Sequence, residues 1–496
     1  MDRAAPTPLG GTAGRARGAN SAAASGIAAF FDRFAADEQE WRRRNRGYHA
    51  LVESILKFHV RPGATVLEVG CGSGDLLAAL EPRVGVGVDV SPGMVSTARA
   101  RHPGLEFHVA AGEAYADGGP FDYIVLSDLV PYAEDLLALL KNLARMSHPG
   151  TRVIVHSYSE MWRPVIRAAE LTRLKHPKPI RNWVTAEDMR NLLAVAGFEI
   201  VTRSRRILVP KRIPTFTTFA NGVLANVWPF SLLTLTWWIV ARPRPVGELD
   251  TTVSVVVPCR NEAGTIGEIV ARVPELGKET EIVFVEGGST DDTQDEIRRQ
   301  IELHPERRMS LHVQEGRGKA DAVRLGFARA DGDVLMILDG DLSVAPETLP
   351  DFYAAITGGA AEVVNGSRLV YGMERGAMQF LNVIGNKFFS LVFSWLIGQP
   401  VKDTLCGTKV VRRADYERIA SLNDEFGADD PFGDFDILLG AAQATLKIVD
   451  LPVRYYARTY GRTNISRFRH GLLLLRMTVV GFSRLKIRPV RVRLRS

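Results

Sequence analysis

Apolar and polar positions change period several times along the chain. From Ile27 to Val60 the apolar residues recur at helical spacing, as in Phe30, Phe31 and Phe34 and again in Leu51, Ile55 and Leu56. Short apolar runs then alternate with amphipathic stretches. The first series of runs is TVLEV (65–69), GVGVDV (85–90), FDYIVLS (121–127) and RVIVHSY (152–158). A second series follows: SVVVP (254–258), EIVFVEG (281–287), DVLMILDGD (333–341) and AEVVNGS (361–367). Strands alternating with helices predict α/β domains with parallel sheets, and two series predict two such domains. No internal repeat is present. Residues 213–241 carry no charge and are long enough to span a bilayer. Their prolines, glycine and asparagines argue instead for a helix followed by LTLTWWIV as the last strand of the first domain.

Composition changes this picture little, and charge changes it more. The 496 residues are 46% hydrophobic and 24% charged, which excludes a mostly disordered or fully membrane-embedded chain. Residues 1–25 are rich in Ala, Gly, Arg and Ser, lack core-forming residues and are expected to be disordered. Cys71, Cys259 and Cys406 are too far apart to suggest a disulfide framework, so a reducing cytoplasm is expected. The net charge is +6, yet 12 of the 62 lysines and arginines follow Leu451, where no acid occurs. That local basicity predicts a phosphate-bearing partner such as a membrane surface or lipid phosphate. A nucleic-acid partner is not expected.

The first candidate site is EVGCGSG (68–74), which closes a strand and opens the helix DLLAAL. Gly70, Gly72 and Gly74 permit a tight turn and close approach of a ligand to the backbone. Asp89 ends the next strand, where an acid can grip ribose hydroxyls. A dinucleotide fingerprint would need glycine at position 75. Asp75 stands there, at a helix start where it is expected to repel a pyrophosphate. With these features, residues 50–160 resemble a class I S-adenosylmethionine-dependent methyltransferase with a Rossmann-like fold. The resemblance implies that Glu68 helps hold the methionine end, Asp89 the ribose and Met94 the adenine. The family often has an acid after the third strand. Here Ala111 occupies that place and Glu113 is the substitute. His156, Tyr158 and Tyr132 are candidates for the methyl-acceptor side.

The second candidate site is an ordered series of polar strand ends. VVVPCRNE (255–262) is followed by VEGGSTDDT (285–293), by a segment carrying Lys319, and by a buried strand ending in Asp339 and Asp341. Two hard carboxylate ligands suit Mg2+ or Mn2+ carried in with a diphosphate. The series resembles glycosyltransferase family 2, and within it the dolichyl- and polyprenyl-phosphate sugar synthases, which implies a nucleotide-diphospho-sugar (GT-A type) α/β fold. By that resemblance Pro258, Asn261, Glu262, Glu286, Ser289 and Lys319 surround the nucleotide, and Asp339 and Asp341 handle the metal. Arg368 meets an acceptor phosphate, with Arg458 and Arg462 in a later basic motif. A hydroxyl acceptor would need a general base, for which Asp434 and Asp436 are candidates; a phosphate acceptor would not.

The helix expected over 379–398 has Asn382, Asn386, Ser390 and Ser394 spaced by four, a polar stripe on an apolar helix that suits a membrane interface. The expected division is 1–25 disordered, 26–241 methyltransferase, 242–250 linker, 251–460 glycosyltransferase and 461–496 a basic, partly apolar tail. The expected whole is a bifunctional enzyme, peripheral at the inner face of the cytoplasmic membrane and compatible with a homodimer. Its rival is a glycosyltransferase with a soluble or polysaccharide acceptor and an inactive, scaffolding methyltransferase-like domain.

Overall fold

The computed structural model describes residues 26–172, 182–245, 250–316, 318–368, 380–423, 433–456, 460 and 467–491. The chain forms two compact units. One runs to Arg244 and takes in the segment from Ile487, and the other is Pro245–Lys486.

The first unit has seven strands: β1 (Thr65–Val69), β2 (Val84–Asp89), β3 (Glu106–Val109), β4 (Phe121–Ser127), β5 (Ser147–Tyr158), β6 (Phe198–Arg206) and β7 (Thr236–Pro243). Their order in the sheet is β3-β2-β1-β4-β5-β7-β6. β1 to β5 are parallel, as expected. β7 is antiparallel to both β5 and β6, so the sheet is mixed rather than all-parallel. The expected last strand of the domain is therefore inserted inside the sheet. Its TWWIVA run is buried on both faces, which is what an interior position requires. Arg242, expected in the linker, belongs to β7. It is 1% exposed and donates from Nε to Glu199 at 2.7 Å.

Both faces of this sheet are covered. The helices Leu136–Arg145 and Ala186–Val195 bring Leu139, Leu140, Met189 and Leu193 to one face. The helices Arg46–His59 and Pro92–Arg101 bring Leu51, Ile55 and Val95 to the other. Val490 joins this second cluster. The stretch 483–490, expected as part of a basic, partly apolar tail outside both domains, is thus folded onto them. Apolar residues alternate with its cations, and Leu485, Pro489 and Val490 are buried.

The second unit has β8 (Val253–Cys259), β9 (Thr280–Glu286), β10 (Arg308–Val313), β11 (Val334–Ile337), β12 (Val363–Ser367), β13 (Lys409–Arg412) and β14 (Ile448–Pro452). Their order is β10-β9-β8-β11-β13-β12-β14, with only β13 antiparallel to its neighbours among the described strands. Each sheet has a point where strand order reverses, between β1 and β4 and between β8 and β11. Open α/β sheets bind ligands at the carboxyl ends of strands at such points. Both candidate sites lie there.

No helix among the described residues is long and apolar enough to cross a membrane. Residues 213–241 form the short helix Phe216–Gly222, two 3-10 turns and β7.

Candidate active sites

In the first unit a cleft of about 1090 Å³, its open mouth included, opens over the ends of β1, β2 and β4. Gly70, Gly72, Asp89, Met94 and Glu113 line it together, as the sequence suggested. Gly70 has φ +76°, and a Cβ there would stand 2.8 Å from Leu129 Cδ1. A Cβ on Gly72, φ +52°, would meet nothing within 4 Å, so this backbone is open to a ligand. Asp89 accepts from Gly72 N at 2.9 Å and from Ser91 N at 3.0 Å. Burial raises its carboxyl pKa against the pull of those bonds. Ser91 also caps the helix Pro92–Arg101 by accepting from Met94 N at 3.1 Å, which fixes Met94 beside Asp89. Glu113 Oε1 accepts from the backbone of Glu134 and of Asp135, each at 3.2 Å.

Glu68 lies beneath the turn and does not line the cleft. It is 2% exposed, its Oε2 has no hydrogen-bond partner among the described residues, and burial pushes its pKa up to about 8. Gly74 is also away from the cleft wall, where a Cβ would collide with the Phe107 ring of β3.

Asp75 does not act as the anion-repelling group expected of it. It is bound by His102 Nε2 at 2.8 Å, Arg101 Nη1 at 3.1 Å and Arg42 Nε at 3.3 Å. Burial opposes its ionisation, but these three cationic or donating partners outweigh it and hold the carboxyl below its usual range. Its charge is compensated, so the missing glycine, rather than repulsion, is what sets this turn apart from a dinucleotide fingerprint.

On the other wall Tyr132, Ser127 and Asp128 face the cleft, whereas His156 and Tyr158 stand behind it. Tyr48 Oη donates to Asp128 Oδ2 at 2.9 Å and stacks on Tyr158 with centroids 5.8 Å apart. His156 is fully buried, contacts Ser127 Oγ at 2.8 Å and stacks on Trp238 at 4.0 Å. Burial lowers its pKa although Asp128 opposes the shift. Sequence reasoning missed Asp128 and Tyr48. It also missed that Ile27, Phe31 and Phe34 close the cleft from a helix that docks through Asp32 Oδ1, which accepts from Gly93 N at 2.8 Å. Asp128 follows β4 as Asp89 ends β2, so the strand-end argument already contained the signal.

In the second unit the turn after β8 is held by the turn after β9. Asn261 N donates to Ser289 Oγ at 2.9 Å, and Asn261 Oδ1 accepts from Thr290 N at 2.7 Å. Ser289 N donates to Glu286 Oε1 at 2.5 Å, and Glu262 N to Thr293 Oγ1 at 2.9 Å. Thr265 Oγ1 donates to Gly340 O at 2.6 Å, which ties Glu262 and the Pro258 turn to the Asp339–Asp341 turn. These expected nucleotide residues are thus brought together.

Lys319, at the start of the helix Lys319–Arg329, pairs with Asp339. Burial works against its charge, but Asp339 and Asp434 more than offset this and raise its pKa. Burial likewise resists ionisation of Asp339, and Lys319, with smaller help from Arg368 and Lys409, holds it below the carboxylate range. Asp341 is 7% exposed and accepts from Ser343 N at 3.0 Å. A Cβ on Gly407 would strike both Lys319 Nζ and the Asp339 carboxylate, so the stretch just before β13 lies directly on this pair.

Arg368 is 9% exposed and bidentate to Asp403, Nε at 2.7 Å and Nη2 at 2.9 Å, with its guanidinium 5.1 Å from the Tyr455 ring centroid. Asp434 pairs with Lys409 at 2.8 Å and Asp436 with Arg324 at 3.1 Å. The two base candidates are therefore both ion-paired and face different cations. Arg458 and Arg462 lie outside the described residues, as do the side chains of Asn382 and Asn386. Ser390 and Ser394 turn inward and donate to Val401 O at 2.8 and 3.0 Å. They are not a solvent-facing stripe, and the exposed residues of that helix include Phe388, Leu391 and Trp395.

Comparisons with known proteins fall on the same two stretches of chain. Residues 254–419 match glycosyl transferase family 2, and residues 40–203 match a methyltransferase domain. A dolichyl-phosphate hexose transferase of Haloferax volcanii is 30% identical over 219 residues, 44% of this chain and 88% of that protein. A dolichol-phosphate mannosyltransferase of Pyrococcus furiosus is 33% identical over 219 residues, 43% of this chain and 59% of that protein. Among solved structures, magnesium protoporphyrin IX methyltransferase from Synechocystis, with bound SAH, is 16% identical with TM-score 0.32, over 45% of this chain and 99% of that one. The chain belongs to glycosyl transferase family 2 and carries a methyltransferase domain ahead of its glycosyltransferase domain.

Proposed function

We propose that the second unit moves a sugar from a nucleotide-diphospho-sugar to a polyprenyl phosphate, with inversion, and that the first transfers a methyl group from S-adenosylmethionine. We take the unit that runs to Arg244 as the methyltransferase domain and Pro245–Lys486 as the glycosyltransferase domain. The observation that carries the sugar-transfer reading is the buried Lys319–Asp339–Asp341 group at the end of β11, facing the turns after β8 and β9.

Asp339 and Asp341 fit a divalent ion that arrives with its donor. Among the described residues no cluster of three or more His, Cys, Asp or Glu forms a cation site, so two protein carboxylates would be completed by diphosphate oxygens. Mg2+ or Mn2+ would supply charge compensation for the departing nucleoside diphosphate. Lys319, kept protonated by Asp339 and Asp434, adds a fixed positive charge in the same place. The Asn261–Ser289 and Glu262–Thr293 bonds hold the nucleotide side of the site rigid.

A phosphate acceptor is already anionic near neutral pH, with a second pKa of about 6, so it attacks without a general base. The ion pairs of Asp434 and Asp436 support this reading. Asp434→Asn and Asp436→Asn should each retain sugar transfer to polyprenyl phosphate within about tenfold of wild type, because neither removes a proton-transfer step worth ~10²–10⁴-fold. Loss beyond that range with folding intact favours a hydroxyl acceptor.

In the first unit the Asp89 carboxylate, oriented by two backbone donors, and the cleft from Met94 to Glu113 fit the nucleoside part of S-adenosylmethionine. The cofactor would supply an electrophilic methyl group. Asp128, held by Tyr48, and Tyr132 position the acceptor, and the helix carrying Phe31 and Phe34 shields it from water.

A further inference from the structure

Residues 211–233 of the first unit reverse the usual rule of polar outside and apolar inside. Thr217 and Asn221 are 9% and 0% exposed, while Phe216, Phe219 and Trp228 are 48%, 51% and 76% exposed. The polar side chains serve the backbone. Asn221 Oδ1 accepts from Leu208 N at 2.7 Å and from Val209 N at 2.9 Å, and its Nδ2 donates to Val209 O at 2.9 Å. Thr217 Oγ1 accepts from Ile213 N at 2.8 Å and donates to Lys211 O at 2.6 Å. The segment is therefore an ordered, internally satisfied element that presents aromatic side chains to its surroundings.

The patch is not confined to these three rings. Phe230, Leu232 and Leu233 are also more than two-fifths exposed. Trp162 Nε1 donates to Leu233 O and Thr234 O, both at 3.2 Å, and joins the turn to the helix Arg163–Leu171, whose Val165 is 54% exposed. Apolar residues scattered singly need no explanation, but a contiguous exposed group of this size marks a contact surface.

We propose that this surface seats the methyltransferase unit in the interface of an anionic lipid bilayer. The charge pattern selects the occupant. No charged residue occurs from 213 to 241, and the exposed Lys211 and Arg212 stand at the start of the patch. Tryptophan and phenylalanine beside a cationic rim match the layering of a membrane interface, where rings sit at headgroup depth and cations meet phosphates. This inference is independent of the acceptor that the second unit uses.

The test is sedimentation of the full-length protein with phosphatidylcholine vesicles, with and without phosphatidylglycerol and free of polyprenyl phosphate. The triple variant Phe216→Ser/Phe219→Ser/Trp228→Ser should keep its melting temperature, since these side chains are exposed. Its partition onto phosphatidylglycerol vesicles should fall about tenfold or more, because each ring contributes by the apolar area it buries. Lys211→Glu/Arg212→Glu should weaken binding to the anionic vesicles alone, and more so at low salt. Partition unchanged by the triple substitution, or no vesicle binding by wild type, overturns the proposal. So does a wild-type dimer that the triple variant dissolves in the absence of any vesicle binding, which would assign the face to a second copy.

Discussion

Single carboxylates govern the first site, and they do so in opposite ways. Asp89 is pinned by two backbone donors and open to the cleft, and burial raises its carboxyl pKa against the pull of those bonds. Asp89→Ala should weaken S-adenosylmethionine binding by ~1.5–3 kcal/mol, the usual worth of a hydrogen bond to a charged group. Titration calorimetry should show this as a Kd raised about 10- to 150-fold. Glu68, one turn away, is buried with a pKa pushed up to about 8 from an ordinary value of 4.5. A carboxyl raised in the folded state contributes stability that is fully present below its unfolded pKa and is lost as pH rises through the folded one. The fold should therefore lose stability between about pH 4.5 and 8 on this account. Glu68→Gln, which cannot ionise, should melt increasingly above wild type across that window and show no pH-dependent advantage below it. Thermal denaturation from pH 4 to 9 checks this; parallel curves for the two proteins would show that Glu68 ionises freely in the folded state.

At the scale of elements, the short stretch between the helix Phe380–Ile397 and β13 completes the second site. Gly407 lies against Lys319 and Asp339 so closely that any side chain must push the pair apart. Both contacted atoms are ends of flexible side chains, so Gly407→Ala should fold. Turnover should nonetheless fall about 10²-fold, the usual cost of misplacing a reacting group by ~1 Å. Steady-state kinetics beside a melting curve separates the two effects.

This element also shows what the sequence made legible. Asp89, Asp339 and Asp341 could be found because each ends or closely follows a strongly apolar strand, although β11 stops at Ile337, short of the expected run to Asp341. Gly407 and Asp403 lie in a loop whose importance is set by contacts with residues far away in the chain, and no local pattern announces them. Strands were missed for a similar reason. β3 is a half-exposed edge strand of four residues, β10 a half-exposed edge, and β6 alternates arginines with small residues, so none shows the apolar run that marked the others. The antiparallel insertion of β7 was not legible because periodicity reports burial and not direction. Asp75 was misread because its neutralising partners, Arg42 and Arg101, are remote in sequence.

For the whole molecule, two α/β units each place their chemistry at the reversal point of a sheet, and the methyltransferase and glycosyltransferase matches fall on those same units. The apolar surfaces are likewise found on both. Leu391 and Leu472 stand out from the second unit, Trp228 from the first. Sugar transfer to a lipid phosphate should depend on a divalent metal ion and on Asp339 and Asp341. It is tested most directly by following a labelled sugar from a panel of nucleotide-diphospho-sugars into the organic phase, with and without polyprenyl phosphate. Label should enter that phase only when lipid phosphate and Mg2+ or Mn2+ are both present, and not at all with excess chelator or with Asp339→Asn/Asp341→Asn. Equal transfer in chelator, or transfer to a water-soluble acceptor with lipid phosphate left out, would contradict it.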